Sequence, residues 1–461
     1  MHYDVVIIGA GMSGLAAGIR LAYFDKRVCI VERHYAYGGL NSYYTLGGRK
    51  FDVGLHAVSN FVPPGVRNTP LPKLLRQLRI DRDEFDLRPQ GFSEVRFPSH
   101  RLRFTNDVER LIQEVAEQFP RQIDNFYRLI EAVRAFDDRR LDAPYESTRA
   151  ALGGFLDDPL LIEMLLCPIM YYGSAEEHDM DFLQFVIMFK AIFLEGFARP
   201  PDGVRTIIKT LVRHFRACGG KLKMRCGVDR IEVDRDRVTG VRLESGETLS
   251  ADVVLSSAGY HETMRLCGQD AVDRDSSGPG RLSFVESIAV LDRPPAKLGH
   301  AATIVFFNDA EKFTYAKPDG LVDLRSGVVC CPSNYDGHEG MTESLFRVTW
   351  MANYDLWTGL DEDAYAAAKR DCKVSFLAQA ETYAPGLGEH VVATDMFTPR
   401  TIERFTGHIN GAVYGSPQKH RDGRTHLKNL FLCGTDQGYV GIIGAMLSGI
   451  MMANNHVLMD T

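Results

Sequence analysis

Near its beginning the chain sets Gly9, Gly11 and Gly14 directly after the apolar run Asp4-Val-Val-Ile-Ile8, and a helical pattern over residues 15–24 follows at once. A second strand pattern, residues 27–31, ends on Glu32. Strand, glycine turn, helix and strand in that order make a βαβ unit, which commits the chain to an α/β architecture with a parallel sheet. The spacing is GxGxxG in the setting that this fingerprint requires. Gly9 permits the tight turn, Gly11 lets backbone approach a pyrophosphate, and Gly14 lets the helix pack on the strand. The amides around Met12 and Ser13, where the helix starts, then face the phosphates. Glu32, with Arg33 behind it, stands where a carboxylate accepts both ribose hydroxyls. The combination predicts a bound dinucleotide.

A chain of 461 residues exceeds one ordinary core and predicts about two or three domains. Hydrophobic residues make up 45% and charged residues 25%, the balance of a soluble globular protein. The net charge is −7, and Arg76, Arg79, Arg82 and Arg88 are interspersed with Asp81, Asp83 and Glu84. That is a solvated face, so no nucleic-acid partner is expected. Nine cysteines without a CxxC pair or metal-ligand spacing predict reduced thiols and no metal. Because the first residues run straight into a strand, with no room for a signal peptide, a cytoplasmic location is expected. The apolar stretch 182–198 is interrupted by Lys190 and Glu195 and is shorter than a bilayer span. It is read as buried, as the wall of an apolar cavity, or as a membrane-surface contact.

Periodicity divides the chain into interleaved segments. Residues 1–66 carry the βαβ unit, and residues 67–202 read as a helical insertion, with helices at 107–119 and 122–136. Residues 203–275 return to short strands (221–225, 228–233, 238–243, 251–256) that belong with the first unit. Residues 276–424 form a second sheet (285–291, 303–307, 327–331, 346–351) with a helix over 362–382. Residues 425–461 end the chain as a strand, a glycine-rich loop and a helix at 444–458. No internal repeat is present.

A second glycine turn, Tyr37-Gly38-Gly39-Leu40-Asn41-Ser42, and the run Phe51-Asp-Val-Gly-Leu-His-Ala57 lie beside the first unit and suit a cofactor longer than NAD. Taken with Asp252-Val-Val-Leu-Ser-Ser-Ala-Gly259 and the terminal Cys433-Gly-Thr-Asp-Gln-Gly-Tyr-Val-Gly-Ile-Ile-Gly-Ala445, the chain resembles the FAD-dependent phytoene desaturase, carotenoid isomerase and retinol saturase group of the flavin amine-oxidase superfamily. The resemblance implies a Rossmann-type FAD-binding domain built from discontinuous segments, with an interleaved α+β substrate domain. It places Gly39, Leu40, Asn41 and Ser42 along the cofactor and the backbone of Val228 against the adenine. It sets Gly434 and Asp436 near the pyrophosphate or ribityl chain, and Gly441, Ile442 and Ile443 near the pyrimidine end of the flavin. Leu40 stands where many members of the group carry arginine, and the terminal motif resembles the saturase branch, so the direction of reaction is open.

A flavin moves hydride through its own ring, so the protein need supply placement, a shaped pocket and at most one proton donor or acceptor. His56 is the first candidate, followed by Tyr414 and Gln437, whose segments the resemblance places near the flavin; each residue type also serves as an ordinary structural partner. The aromatic and methionine content around Met164, Met170, Tyr171, Tyr172, Phe185 and Phe189 suits a tunnel wall or a plain helical core. The expected activity is desaturation, saturation or isomerisation at carbon–carbon bonds of an apolar isoprenoid or carotenoid-like substrate. Such a substrate resides in a bilayer, which predicts peripheral membrane contact. One rival is a flavin amine oxidase, which frames its substrate between aromatic rings; Trp350, Trp357 and Tyr439 are the residues available. The other is a flavin-free prenyl-lipid escort protein of the same fold, against which Glu32 and the terminal Gly-x-Asp speak.

Overall fold

The computed structural model describes residues 2–54, 56–138, 144–268, 277–338 and 343–459. Strand β1 (His2–Ile8), helix α1 (Met12–Ala22) and strand β2 (Val28–Glu32) form the βαβ unit. Val5, Val6 and Ile7 are wholly buried, because a central parallel strand is covered on both faces. Val5 and Ile7 pack on α1, on the helix Val204–Ala217 and on the last helix, Gly441–Ala453. Val6 and Ile8 pack on the opposite side, beneath the meander Val228–Asp234, Arg237–Leu243 and Thr248–Ser256.

Three distant parts of the chain meet in this 7-stranded sheet, the Rossmann-type arrangement expected. Thr248–Ser256 pairs in parallel with β1 (Ile8 opposite Ser256) and with Leu430–Leu432, and β2 pairs in parallel with Lys221–Met224. The carboxyl ends of β1, β2, Thr248–Ser256 and Leu430–Leu432 therefore open onto one edge, where ligands of such sheets bind. Gly441–Leu458 is the one stretch among the described residues long and apolar enough to cross a membrane. Here it lies in the core against α1, so closely that a Cβ on Gly449 would meet Ser13 O at 2.0 Å.

The second sheet also has seven strands, in the order Val391–Phe397, Ser283–Leu291, Ser344–Ala352, Val322–Cys330, Ile304–Asn308, Ser93–Arg96 and Arg101–Phe104. Its side chains alternate between two cores. Phe306 and Val328 face the apolar helices Pro159–Gly173 and Phe182–Phe189, whereas Val305, Val329 and Trp350 face the helix Glu362–Tyr383.

Segment 67–202 is thus not purely helical. Ser93–Arg96 and Arg101–Phe104 form a hairpin that extends the second sheet, and Pro70–Leu78 packs in the core of the first sheet. Four-residue strands in a charged stretch are too short for periodicity to register. The half-buried edge strand Val391–Phe397 escaped notice for a similar reason. The boundary at 275/276 lies outside the described residues.

The stretch 182–198 is buried. Its helix passes into a π-helical turn, Lys190–Glu195, and its two charges are met: Lys190 pairs with Asp138 at 2.8 Å, and Asn60 donates to Glu195 at 3.0 Å. Burial pushes the Glu195 carboxyl up to about 7, partly offset by Asn60. A raised acid pKa supplies stability that is whole below the unfolded value of 4.5 and is lost as pH rises through 7. Wild-type protein should lose up to about 3 kcal/mol across that window, and Glu195→Gln should not, as urea denaturation at the two pH limits will measure.

Candidate active site

At the shared edge of the first sheet lies a groove of about 360 Å³. Gly9, Gly11, Met12, Ser13, Glu32, Arg33, Gly39, Leu40, Asn41, Val228 and Gly434 all line it. Gly9 turns with φ +98°, and Gly14 sits so close that a Cβ would meet Gly9 O at 2.1 Å. Gly11 caps α1 without any side-chain hydrogen bond to the helix, which leaves the first amides for an acceptor in the groove. The Glu32 carboxylate is fixed at the rim by the amides of Ala10 and His34, each at 2.8 Å. Each oxygen keeps a second lone-pair direction for a hydroxyl. A glycine cradle, a bare helix start and an aimed carboxylate fit the adenosine diphosphate portion of a dinucleotide. The Arg33 guanidinium turns instead to Arg404 O at 3.1 Å.

Asp436 is placed differently from the expectation. Its carboxylate is 2% exposed and accepts from the amides of Tyr260 (2.6 Å) and Ser416 (2.7 Å). It clamps two loops together behind the groove, while its neighbours Gly434 and Thr435 supply the lining.

Past Leu40, Asn41, Thr435 and Ala445, which line both spaces, the groove meets a cavity of about 180 Å³ facing the second sheet. Gly441 and Ile442, at the uncapped start of the last helix, form one end. Ile443 points into the core of the first sheet, and Ser42 faces an adjoining pocket, its hydroxyl donating to Tyr37 O at 3.0 Å. Tyr171, Tyr172, Phe284, Val328 and Tyr414 are part of its apolar wall.

His56 lies in this cavity within a buried polar network. Its Nε2 is 3.3 Å from Glu286 Oε2 and 3.1 Å from Thr349 Oγ1, and that hydroxyl donates to the same carboxylate oxygen at 3.2 Å. Arg347, wholly buried on the neighbouring strand, pairs with Glu286 and donates to Val53 O at 2.7 Å. Arg199 pairs with Asp52 at 2.5 Å and donates to His56 O at 3.2 Å. Burial lowers the His56 pKa; Glu286 works against this, while Arg347 and Arg199 add to it. Burial also presses the Glu286 pKa upward, but Arg347 and His56 overcome it and hold the carboxyl below its usual range. The pair at neutral pH is therefore a carboxylate beside a neutral imidazole whose Nε2–H points at it, an arrangement that orients a proton acceptor and stabilises it once charged.

Tyr414 lines the same cavity, and its hydroxyl donates to Tyr171 O. Burial raises its pKa, so it stays a phenol. Gln437 is not brought to this cavity. It is fully buried, donates to Arg421 O and lines a separate cleft of about 650 Å³ with Tyr439. Glu286 and Thr349 were missed by sequence reasoning, whereas Tyr171 and Tyr172, read there as tunnel wall or helical core, line the cavity. The available signal was a single acid inside the otherwise apolar run Ser283-Phe-Val-Glu-Ser-Ile-Ala-Val-Leu291, since a carboxylate there must find a partner.

The family described as flavin containing amine oxidoreductase matches residues 12–455. The chloroplastic prolycopene isomerase of Arabidopsis thaliana is 22% identical over 98% of this chain and 82% of its own. The all-trans-retinol 13,14-reductase of Danio rerio is 23% identical over 99% of this chain and 86% of its own. Among solved structures, an oxidoreductase from Methanosarcina mazei has a TM-score of 0.69 at 16% identity, covering 99% of this chain and all of that one. Putrescine oxidase bound to putrescine has a TM-score of 0.67 at 17% identity, covering 99% of both chains. These structural likenesses bear on the fold alone. With the family match running from α1 into the last helix, the chain belongs to the flavin containing amine oxidoreductase family and is a flavin-dependent oxidoreductase.

Proposed function

We propose that the groove holds FAD and that the enzyme desaturates, saturates or isomerises carbon–carbon bonds of an apolar isoprenoid substrate. The observation that carries this reading is that the groove adjoins, across Leu40, Asn41, Thr435 and Ala445, a mostly apolar cavity that also holds the His56–Glu286 pair. The amides at the start of α1 bind the phosphates, Glu32 the ribose, and the start of the last helix the flavin ring. Bound flavin supplies the hydride acceptor or donor. His56 takes the proton from the adjacent carbon in desaturation, or returns it in saturation, with Glu286 balancing the imidazolium charge. Phe284, Val328 and Tyr171 keep water from the reacting atoms.

Relatives named as a carotenoid isomerase and a retinol reductase support chemistry at carbon–carbon bonds. The amine-oxidase alternative finds less support in the aromatic residues. Trp350 and Trp357 are buried in the core under Glu362–Tyr383, and Tyr439 opens onto the separate cleft. Anaerobic mixing of the flavin-loaded enzyme with polyenes, retinoids and putrescine tests the reading. The expected result is flavin bleaching, or a product altered only at its double bonds, with a polyene or retinoid. Bleaching by the amine alone would replace this reading with the alternative.

A further inference from the structure

The cavity that holds His56 and Glu286 measures about 180 Å³, below the roughly 300–1,000 Å³ of pockets that enclose a whole drug-sized ligand. The part of an isoprenoid that carries the reacting carbons fits there, and the rest of the chain needs other space. Across Leu40, Val53, Phe397 and Ile402, which line both, the cavity adjoins a pocket of about 350 Å³. That pocket lies between the strand Tyr43–Leu46, the edge strand Val391–Phe397 and the helix Pro399–Thr406. Its chemistry narrows what can occupy it. Among the described residues neither lysine nor arginine lines it, so a phosphate or carboxylate would find no counter-charge there. Its two carboxylates are engaged within the protein, Glu32 by the amides of Ala10 and His34, and Asp395 by the Tyr44 hydroxyl at 2.6 Å and the Met396 amide at 2.8 Å. Tyr35 and Leu46 line it while remaining 57% and 51% exposed, so it opens to solvent past an apolar rim. Apolar surface gathered at one groove in this way is a mark of a ligand site.

We infer that the non-reacting length of the substrate chain lies in this second pocket, reached from the cavity past Leu40, Val53, Phe397 and Ile402. The inference rests on the proposed function and adds to it a subsite set apart from the His56–Glu286 pair. Apolar carbon buried there adds affinity in proportion to the area covered, and binding energy from that remote part holds the reacting end in position. An isoprenoid too short to leave the cavity gains none of it.

The test uses the flavin-loaded enzyme and two linear isoprenoid hydrocarbons, one of monoterpene and one of diterpene length, each carrying a photoreactive diazirine at both ends. Binding is followed in the visible flavin spectrum, and labelled residues are located by mass spectrometry after illumination. The long probe should label Tyr35, Thr45, Leu46 or Met396, which line this pocket but neither the cavity nor the nucleotide groove. An excess of unlabelled hydrocarbon of the same length should abolish that labelling, and the short probe should leave those residues unlabelled. Long-probe label confined to the cavity, or found instead along the separate cleft at residues 173–187 or 417–439, would overturn the inference and leave the proposed function standing. Equal labelling of the second pocket by both probes would also overturn it, because the pocket would then be taking up hydrocarbon independently of the cavity. If neither probe nor any other isoprenoid perturbs the flavin, the proposed function falls and the inference with it.

Discussion

Replacing Glu286 with glutamine is expected to cost about 3–5 kcal/mol of folding stability, a large part of what a domain possesses. Arg347 is entirely buried, and Glu286 is its carboxylate partner. The two lie on adjacent strands of the second sheet, where Arg347 stands across from Ile288. Removing the negative charge leaves a guanidinium in a medium that solvates it poorly, and the carbonyls of Val53 and Asp52, which also accept from it, carry only partial charge. The double change Glu286→Met with Arg347→Met should recover most of the loss, because apolar side chains of similar volume often match or exceed a buried ion pair. Chemical denaturation of the three proteins provides the comparison. A single variant as stable as wild type would mean that the pair does not neutralise itself as described.

The second large effect concerns His56. His56→Gln keeps an N–H for Glu286 and Thr349 but cannot take up a proton, so kcat should fall by about 10²–10⁴-fold with flavin content unchanged. The wild-type pH profile carries the complementary signature. Since burial lowers the His56 pKa despite Glu286, the neutral base persists on acidification past 6.5, and activity in the desaturating direction should decline only at lower pH. The Gln variant should lose that acid limb while keeping its residual rate. An unchanged kcat in the variant would assign His56 a purely structural part in the network.

The nucleotide half was legible in the sequence because its determinants are local. The turn Gly9 to Gly14, the helix it opens and the carboxylate that closes β2 are set by spacings within a single βαβ unit, and each has a steric or electrostatic reason to be where it is. The cavity was legible in part, through His56, Tyr414 and the aromatic pair Tyr171 and Tyr172. The partners of His56, Glu286 and Thr349, sit on strands far along the chain and reach the imidazole only when the second sheet closes over the first. Spacing carries no trace of such a contact. Asp436 illustrates a different limit. Its motif was recognised, but a carboxylate can serve a ligand or brace two loops, and only the positions of the Tyr260 and Ser416 amides distinguish the two. Gln437 follows Asp436 in sequence yet faces another cleft, because the short 3-10 turn Thr435–Gln437 carries successive side chains to different sides.

The account depends most on a dinucleotide lying in the groove, and calorimetric titration of the flavin-free chain with FAD and FMN tests this most directly. Gly11 provides the control: its φ of −75° suits any residue, and an added Cβ meets no atom within 4 Å, so Gly11→Val should fold normally while its side chain occupies the place of the pyrophosphate. The predicted result is one FAD per chain, far weaker binding of FMN, and no FAD uptake by the folded Gly11→Val protein. Equal binding of FMN, or FAD binding that Gly11→Val leaves untouched, would contradict it.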